Sequence, residues 1–264
     1  MNRKKTLEIC RDLIVPYPEV KIADNTHVLS KEYSALTHKI DQLRDASLPS
    51  SVFRTIIEEI TELEIIEATR NFKLEEYEVE TPICKMVAHR IAGKKMVLAP
   101  IMRAGLGMEP AVKRVFPQSR TGHIGLYRDE VTFEPVEYFY KMPKNAEERE
   151  IFILDPMLAT GGSADSAISK LKSMGCDGRN INFICIIAAP QGVDLLQKKH
   201  PEVSLYIGTV DLGLNKNNYI VPGLGDAGDR IFGTKWLFNP QSQRVAKSRP
   251  FCYNMNITNY FVAL

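Results

Sequence analysis

The sequence predicts an α/β fold with a central, mainly parallel sheet flanked by helices. The first observation is a series of short, wholly apolar runs, such as Ile151–Leu154, that suit strands buried on both faces. The second is that stretches with helical apolar periodicity alternate with these runs at βαβ spacing. The third is that polar and glycine-rich segments stand where strands end, at the edge where such sheets bind ligands.

Composition and charge are those of an ordinary globular protein. Of the 264 residues, 44% are hydrophobic and 25% are charged, which suits one α/β domain with additions. The 34 basic residues are balanced by 32 acidic ones, so we expect no nucleic-acid partner and no membrane surface. No apolar run approaches the roughly 20 residues that span a bilayer, and the N-terminus does not read as a signal peptide. Five scattered cysteines without a Cys-x-x-Cys pair favour a cytoplasmic location.

The N-terminal third predicts an arm and two helices. A short amphipathic segment and two prolines, Pro16 and Pro18, indicate an N-terminal arm over residues 1–30. Ser30 is suited to be the N-cap of a first helix, and Pro49 opens a second one. The expected apolar faces of these helices contain Leu36, Ile40 and Leu43 in the first and Val52, Ile56, Ile57, Ile60 and Leu63 in the second.

A hairpin and a buried strand follow. Side chains alternate along Tyr77–Gly93 as in two paired strands, and the apolar run that begins at Met96 is a buried strand that leads into a glycine-containing turn. Arg103 lies where this strand ends. If the strands are parallel, Arg103 shares an edge of the sheet with Asp155, and its planar guanidinium can bind phosphate oxygens there.

The next strand, Ile124–Arg128, opens a long hairpin that returns through Tyr138–Lys141. The connecting residues are mostly acidic, and we expect them to be mobile. Two interpretations remain open for this hairpin: a lid that excludes water from a bound ligand, or an exposed hairpin without that role.

A strand, an acid, a glycine loop and a helix then follow in immediate succession. Asp155 ends the strand, Thr160–Ser163 form the loop, and the helix after it stops at Gly175. Glycines let the loop turn its backbone N–H groups inward, and the helix N-terminus adds unpaired donors and partial positive charge. The loop fits neither the Walker nor the dinucleotide fingerprint. The segment therefore predicts a phosphate site of another kind.

Two further strands and a second glycine-rich segment complete the pattern. The runs that begin at Ile181 and Ser204 predict parallel strands with a helix between them. The segment Tyr219–Thr234 contains four glycines, so we expect its backbone, more than its side chains, to contact a ligand.

Three of these segments resemble motifs of one enzyme family. Asp155–Ser163 resembles the loop that binds 5-phosphoribosyl-1-diphosphate (PRPP) in type I phosphoribosyltransferases, with a proline in place of the second acid, as in uracil phosphoribosyltransferases. Pro100–Met108 resembles their diphosphate loop, and Tyr219–Asp229 resembles their uracil signature. The resemblance implies the type I phosphoribosyltransferase fold with a flexible β-hairpin lid and a small base-binding hood. It covers residues 31–234 and leaves out the arm and a C-terminal extension, residues 235–264.

The resemblance also implies an enzyme of pyrimidine salvage that converts uracil and PRPP to UMP and diphosphate. It assigns PRPP binding to two arginines, to every residue of the loop and to one acid of the uracil segment. These residues are Arg103, Arg128, Asp155, Pro156, Met157, Leu158, Ala159, Thr160, Gly161, Gly162, Ser163 and Asp226. It assigns uracil binding to Ile220, Gly225, Asp226 and Ala227, and catalytic roles to Arg103, Arg128, Asp155 and Asp226.

Specificity and the metal follow from the same resemblance. Uracil presents an acceptor, a donor and an acceptor, which backbone N–H and C=O groups can match, whereas cytosine reverses two of these roles. Mg²⁺ is the implied cofactor, held mainly by PRPP and water with no direct protein ligand. No histidine is placed as a general base, which suits a reaction in which the bond to diphosphate breaks first.

Two alternatives stay open. The first is a phosphoribosyltransferase for another base, against which the segment Ile220–Ala227 argues. The second is a non-catalytic PRPP-sensing or RNA-binding pyrimidine regulator on the same fold; the presence of Arg103 and Arg128 and the lack of a basic face argue against it. The resemblance further implies a homodimer or larger homo-oligomer, and it raises GTP as a candidate effector whose site the sequence does not reveal.

Overall fold

The computed structural model describes residues 3–128 and 135–234, where helices and strands alternate as predicted. The helices are α1 (Arg3–Cys10), α2 (Ser34–Leu43), α3 (Ser50–Ala68), α4 (Glu109–Val115), α5 (Gly162–Ser173), α6 (Pro190–Lys199) and α7 (Ala227–Phe232). The strands are β1 (Thr26–Val28), β2 (Leu74–Glu80), β3 (Lys85–Ile91), β4 (Val97–Met102), β5 (Arg120–Thr121), β6 (His123–Arg128), β7 (Pro135–Lys141), β8 (Ile151–Leu154), β9 (Met157–Leu158), β10 (Ile181–Ala188), β11 (Ser204–Val210), β12 (Gly213–Leu214) and β13 (Ile220–Val221).

The central sheet is mainly parallel, which confirms the predicted fold class. Its strands follow the order β1-β11-β10-β8-β4-β6-β7, with β5 paired to β4 and β9 paired to β10. Every pairing is parallel except that of β6 with β7, which form an antiparallel hairpin. Because β4 and β8 are parallel neighbours, with Pro100 opposite Leu154, the segments that follow them lie at one edge of the sheet.

Helices cover both faces of the sheet, as expected for strands that are apolar throughout. On one face, α2, α3 and α7 pack on a core that includes Phe53, Phe152 and Ile231. On the other face, α5 and α6 pack on a core that includes Ile168 and Leu196. Within residues 3–128 and 135–234, we find no helix with both the length and the apolar character needed to cross a bilayer.

The prediction for the start of α2 is wrong by one turn. A short 3-10 helix, Leu29–Lys31, contains Ser30, and α2 begins only at Ser34, after Tyr33. Ser30 contributes its carbonyl oxygen, which accepts a hydrogen bond of 2.8 Å from the Thr37 hydroxyl. The expected apolar face of α2 is nevertheless correct, because Leu36, Ile40 and Leu43 are buried.

The apolar face of α3 is rotated from the expected one. Val52 and Leu63 were assigned to the buried face, yet each is 41% exposed, and Phe53 and Glu64 are fully buried in their place. Periodicity alone missed Glu64 because a carboxylate is rarely buried without a partner.

The N-terminal segment makes specific contacts with the rest of the domain. The N–H of Val15 donates to the Leu214 carbonyl oxygen of β12 at 2.8 Å, and the Tyr17 hydroxyl donates to Asp194 on α6 at 2.6 Å. Strand β1 is already part of the main sheet. The sheet therefore begins before the boundary at residue 30, and the division into arm, domain and extension stays a prediction. The extension, residues 235–264, lies outside the described residues.

The hairpin predicted for Tyr77–Gly93 is present. Strands β2 and β3 pair antiparallel over their whole length and form a two-stranded sheet of their own. Several of its apolar side chains are exposed in the single chain. They are Leu74, Tyr77, Ile83, Met86, Val87 and Ile91.

Candidate active site

The predicted phosphate loop connects β8 to α5 at the carboxyl edge of the sheet. All four residues of β8 are buried, Asp155 follows them directly, and α5 begins at Gly162. Between them, β9 pairs in parallel with β10, so Met157 and Leu158 extend the sheet past the end of β8. The predicted succession of strand, acid, loop and helix is therefore present.

Gly161 shapes the turn into α5. Its φ is +89°, in the left-handed region that glycine tolerates, and a Cβ at this position would lie 2.7 Å from Cδ2 of Leu195. Gly161 is also the N-cap residue of α5 and has no side chain to offer the first N–H groups of the helix. These groups have no acceptor within the helix and can therefore bind an anion.

The middle of the loop serves to hold it on the sheet. Pro156 and Leu158 are buried, and the Pro156 carbonyl oxygen accepts hydrogen bonds from the N–H groups of Ile186 and Ile187 at 3.2 and 3.1 Å. The Leu158 carbonyl oxygen accepts from Ala189 at 2.8 Å. These hydrogen bonds fix the middle of the loop on the sheet. Asp155 and the glycines at the two ends of the loop can then face a ligand.

Asp155 is the most perturbed acid at this edge. Its pKa is raised to about 7, chiefly by burial; the N–H of Met157, which donates at 3.4 Å, lowers the pKa, and the negative charge of Asp226 raises it. Asp155 at the end of β8 and Asp226 at the start of α7 are thus electrostatic neighbours, although they are distant in sequence.

The segment after β4 approaches the end of β8 very closely. The Met102–Arg103 peptide bond is cis. A Cβ on Gly105 would lie 2.1 Å from the Leu154 carbonyl oxygen and 3.2 Å from Cα of Pro100, so only glycine permits this contact. Arg103 therefore lies at the same edge as Asp155, as predicted.

The Arg103 side chain reaches towards α7. Its Nη2 lies 3.4 Å from Oδ1 of Asp229, and its guanidinium carbon lies 5.7 Å from the centre of the Phe232 ring. The side chain is still 56% exposed, so its remaining donors are accessible to a ligand. Arg103 thus connects the turn after β4 to α7, the helix that follows the predicted uracil segment.

The predicted uracil segment, Ile220–Ala227, divides into buried and exposed residues. Ile220 and Ala227 pack their side chains into the core, whereas Gly225 and Asp226 are exposed. The Asp226 carboxylate caps α7 by accepting from the N–H of Asp229 at 2.8 Å. A ligand can therefore meet the backbone of this segment, in keeping with its glycine content.

Three side chains that contact this segment were missed by sequence reasoning. Arg44, at the end of α2, forms a two-pronged ion pair with Asp211, which follows β11, at 2.6 and 2.8 Å. Arg230 of α7 donates to the Leu224 carbonyl oxygen at 2.9 Å. The sequence carried no local signal for the pair, because its members are 167 positions apart.

Not all predicted residues can be placed. The backbone of Arg128 ends β6, which runs parallel to β4 with Gly125 opposite Met102. The Arg128 side chain and the hairpin tip, residues 129–134, lie outside the described part of the chain. Within that part, no three His, Cys, Asp or Glu side chains form a cluster that could hold a metal ion.

Comparisons with known proteins point to one enzyme family. The family model described as uracil phosphoribosyltransferase matches residues 30–234. A uracil phosphoribosyltransferase of Finegoldia magna is 52% identical over 204 residues, which cover 77% of this chain and 97% of that protein. One of Agathobacter rectalis is 50% identical over 208 residues, covering 79% and 99%. The solved structure of the AQ2163 protein from Aquifex aeolicus superposes with a TM-score of 0.72 at 33% identity, covering 77% of this chain and 97% of that one.

Proposed function

The chain belongs to the uracil phosphoribosyltransferase family, and we propose that it transfers the phosphoribosyl group of PRPP to N1 of uracil, releasing diphosphate and giving UMP. It is accordingly a pentosyltransferase that serves pyrimidine salvage. The observation that carries the proposal is the meeting of three segments at one edge of the sheet: an uncapped helix N-terminus after Gly161, the Arg103 turn, and the glycine-rich backbone of Ile220–Ala227.

PRPP would be held at both of its phosphate ends. Residues Thr160–Ser163 and the first N–H groups of α5 are proposed to bind the 5-phosphate, because a helix N-terminus presents backbone N–H donors at the positive end of the helix dipole. Arg103 and Arg128 are proposed to bind the diphosphate as it leaves. Arg103 is suited to this role because its guanidinium is largely exposed although it touches Asp229.

The two acids are assigned to the ribose and to alignment. Asp155 would accept hydrogen bonds from the ribose hydroxyl groups, and Asp226 would align PRPP with the base. Cleavage of the bond from C1 to diphosphate leaves positive charge on the ribose, which a nearby carboxylate stabilises. The pKa of Asp155 near 7 means that this group is partly protonated at neutral pH until a ligand changes its surroundings.

The base would be recognised by backbone groups. Ile220, Gly225, Asp226 and Ala227 are proposed to present N–H and C=O groups to the edge of uracil, since two of these residues bury their side chains and one has none. Cytosine would leave buried donors and acceptors unpaired, which typically costs about 1–3 kcal/mol for each group.

Mg²⁺ is the proposed cofactor. Asp155 and Asp226 are the neighbouring carboxylates that would face a cation carried by PRPP, and the described residues offer no third ligand beside them. This donor set fits an ion that keeps most of its ligands as phosphate oxygens and water. When bound, Mg²⁺ neutralises charge on the departing diphosphate.

A homo-oligomer is also proposed. The β2–β3 hairpin exposes several apolar side chains and forms no part of the main sheet, and such a hairpin is only marginally stable by itself. A second copy of the chain would cover this surface. GTP activation remains a proposal that rests on the resemblance, and a cytoplasmic location remains one that rests on the cysteine pattern.

The test is product formation with a panel of bases. Purified protein is incubated with PRPP, Mg²⁺ and one of uracil, cytosine, orotate or hypoxanthine, and nucleotide and diphosphate are quantified. We expect UMP with uracil and at least about 100-fold slower turnover with the other bases. The matched control is Arg103→Met, which should lose turnover with uracil while remaining folded.

Other outcomes discriminate the alternatives. Turnover with a different base would show that Ile220–Ala227 is misassigned. PRPP binding without turnover of any base would contradict the enzyme and favour the PRPP-sensing regulator.

A further inference from the structure

The predicted uracil segment, Ile220–Ala227, is held in place by hydrogen bonds to Gly223, which is buried. The N–H of Gly223 donates to Oδ2 of Asp211 at 2.9 Å, and the carbonyl oxygen of Gly223 accepts from Nη1 of Arg44 at 2.9 Å. Both polar groups of this one backbone unit are therefore bound by the two members of a single ion pair.

The next residue is held by a second arginine. The Leu224 carbonyl oxygen accepts from Nη1 of Arg230 at 2.9 Å, and the same nitrogen donates to the Leu43 carbonyl oxygen at 2.9 Å. The Arg230 guanidinium lies 4.1 Å from the centre of the Phe53 ring. Consecutive carbonyl groups of the segment are thus bound by two arginines, and both arginines are fixed at the C-terminal end of α2.

The backbone between these contacts has an unusual shape. Gly223 has a φ of +65°, and a Cβ there would lie 2.1 Å from the Ile220 carbonyl oxygen. The segment therefore folds back on itself within four residues. Such a turn has few regular backbone hydrogen bonds, so its shape depends on side chains that reach it from elsewhere.

We propose that Arg44, Asp211 and Arg230, here called the base clamp, are positioning residues that fix the backbone of Ile220–Ala227 for recognition of the base. This inference rests on the proposed function. It adds three side chains that do not themselves read the base but determine where the N–H and C=O groups that read it are held.

The charge pattern supports a positioning role over a general stabilising one. Asp211 is fully buried, and the Arg44 side chain is only 15% exposed. A buried ion pair of this kind is seldom more stabilising than apolar side chains of the same volume, because both charges lose their hydration. What the pair supplies here is a donor and an acceptor at fixed positions on either side of Gly223.

Loss of the base clamp should affect binding of the base more than binding of PRPP. Recognition through backbone groups requires the base to be held within a few tenths of an ångström, so a loosened segment should weaken binding of the base. The 5-phosphate site belongs to β8, its loop and α5, with which the base clamp forms no hydrogen bond among the described residues. PRPP meets the segment only at Asp226, which is also held as the N-cap of α7, so PRPP binding should change little.

The test uses substitutions of base clamp residues that remove a charge or a set of hydrogen-bond donors with little change in side-chain size. Asp211→Asn keeps the shape but removes the charge, and Arg44→Gln removes the two-pronged donor. We expect each to raise KM for uracil at least about tenfold, with KM for PRPP changed by less than about threefold. Arg44→Lys keeps the charge and one donor, so its effect should be smaller than that of Arg44→Gln.

Controls separate positioning from loss of stability. Asp177→Asn breaks the exposed ion pair with Arg179 and should leave both KM values unchanged. Ile181→Val, at the start of the buried strand β10, lowers stability without touching the base clamp and should also leave KM for uracil unchanged. If one of the single variants fails to fold, the double variant Arg44→Gln with Asp211→Asn is used in its place, because it removes both charges of the pair together.

Amide hydrogen exchange gives a readout that does not depend on turnover. Peptides that cover residues 220–227 should exchange at least about tenfold faster in Asp211→Asn than in the unaltered protein, whereas peptides from α5 should not change. If the unaltered protein makes no UMP, the proposed function is rejected. Faster exchange in Asp211→Asn would then still show that the base clamp holds this segment in place. UMP formation with an unchanged KM for uracil and unchanged exchange in the variants would overturn the inference.

Discussion

Asp155 is the residue whose ionisation should set the pH dependence of PRPP use. Burial and the charge of Asp226 raise its pKa to about 7, so the carboxylate that accepts the ribose hydroxyls forms only as the pH rises through that value. We predict that kcat/KM for PRPP increases about tenfold per pH unit below 6 and levels off above 8.

The control for this profile is Asp155→Asn. It should lower kcat/KM for PRPP by on the order of 10- to 100-fold, as expected for loss of a hydrogen bond to a charged group. It should also remove the rise near pH 7, while ionisations of PRPP itself stay in both profiles. The same rise in the variant would contradict the role of Asp155.

Glu64 is a buried acid outside the site, and its burial leads us to predict how the stability of the protein depends on pH. Its side chain is fully buried, neither carboxylate oxygen has a hydrogen-bond partner among the described residues, and burial raises its pKa well above the ordinary value. The folded protein therefore binds a proton that the unfolded chain releases above about pH 4.5, so stability falls as the pH rises beyond that point.

Replacing Glu64 removes this penalty. We predict that Glu64→Met raises the free energy of unfolding by about 1–3 kcal/mol at pH 8 and by less at pH 5. Thermal unfolding at both pH values measures the difference, with the exposed Glu8→Gln of α1 as control. A lower Tm for Glu64→Met at pH 8 would show that the carboxyl group has a stabilising partner.

At the scale of elements, the turn into α5 makes a prediction with a built-in control. Gly161 and Gly175 have nearly the same φ, +89° and +90°, at opposite ends of α5. A Cβ on Gly161 would meet Leu195 at 2.7 Å, whereas a Cβ on Gly175 would meet nothing within 4 Å. Substitution by alanine therefore imposes similar backbone strain at both ends but displaces only the phosphate loop.

We predict that Gly161→Ala and Gly175→Ala each lower stability by about 1–2 kcal/mol. Only Gly161→Ala should raise KM for PRPP, by at least about tenfold, because only that change moves the N–H donors of the loop. Equal effects of both variants on KM would mean that the loop geometry is not what binds PRPP.

The β2–β3 hairpin makes a prediction about assembly. Neighbouring residues on a strand point to opposite faces, so Val87 lies on one face of the hairpin and Met86 on the other. The Val87 face also carries Leu74 and Ile91, all three exposed in the single chain. We predict that Val87→Glu dissociates the proposed homo-oligomer, raising its dissociation constant by about 100-fold or more.

Light scattering coupled to size exclusion measures this change, with Met86→Glu as the matched variant on the opposite face. We expect Met86→Glu to keep the assembly. Dissociation by Met86→Glu alone would assign the interface to the other face, and dissociation by neither variant would exclude the hairpin from the interface.

At the scale of the whole molecule, the parts predictable from sequence are those that local pattern determines. The succession from Ile151 to Ser163 was readable because strand, acid, loop and helix are contiguous, and the parallel neighbours β4 and β8 follow from the apolar runs. The predicted α/β fold with a central, mainly parallel sheet flanked by helices is likewise confirmed.

The parts that sequence missed depend on contacts between distant segments. Ser30 looked like an N-cap because the residues around it suit one, but the 3-10 helix that contains it delays α2 by one turn. Arg44 and Asp211 have no local signature, because their roles arise only when α2 and β11 come together. The pKa of Asp155 also depends on Asp226, which the chain brings near only in the folded state.

The most direct test of the account is a crystal structure of the protein with UMP bound. We expect density for the phosphate at the N–H groups of Gly162 and Ser163, at the start of α5. We also expect the uracil edge against the backbone of Ile220–Ala227, with the ribose hydroxyls at Asp155. UMP bound elsewhere, or with its base turned away from that segment, would contradict the claim that these three segments form one active site.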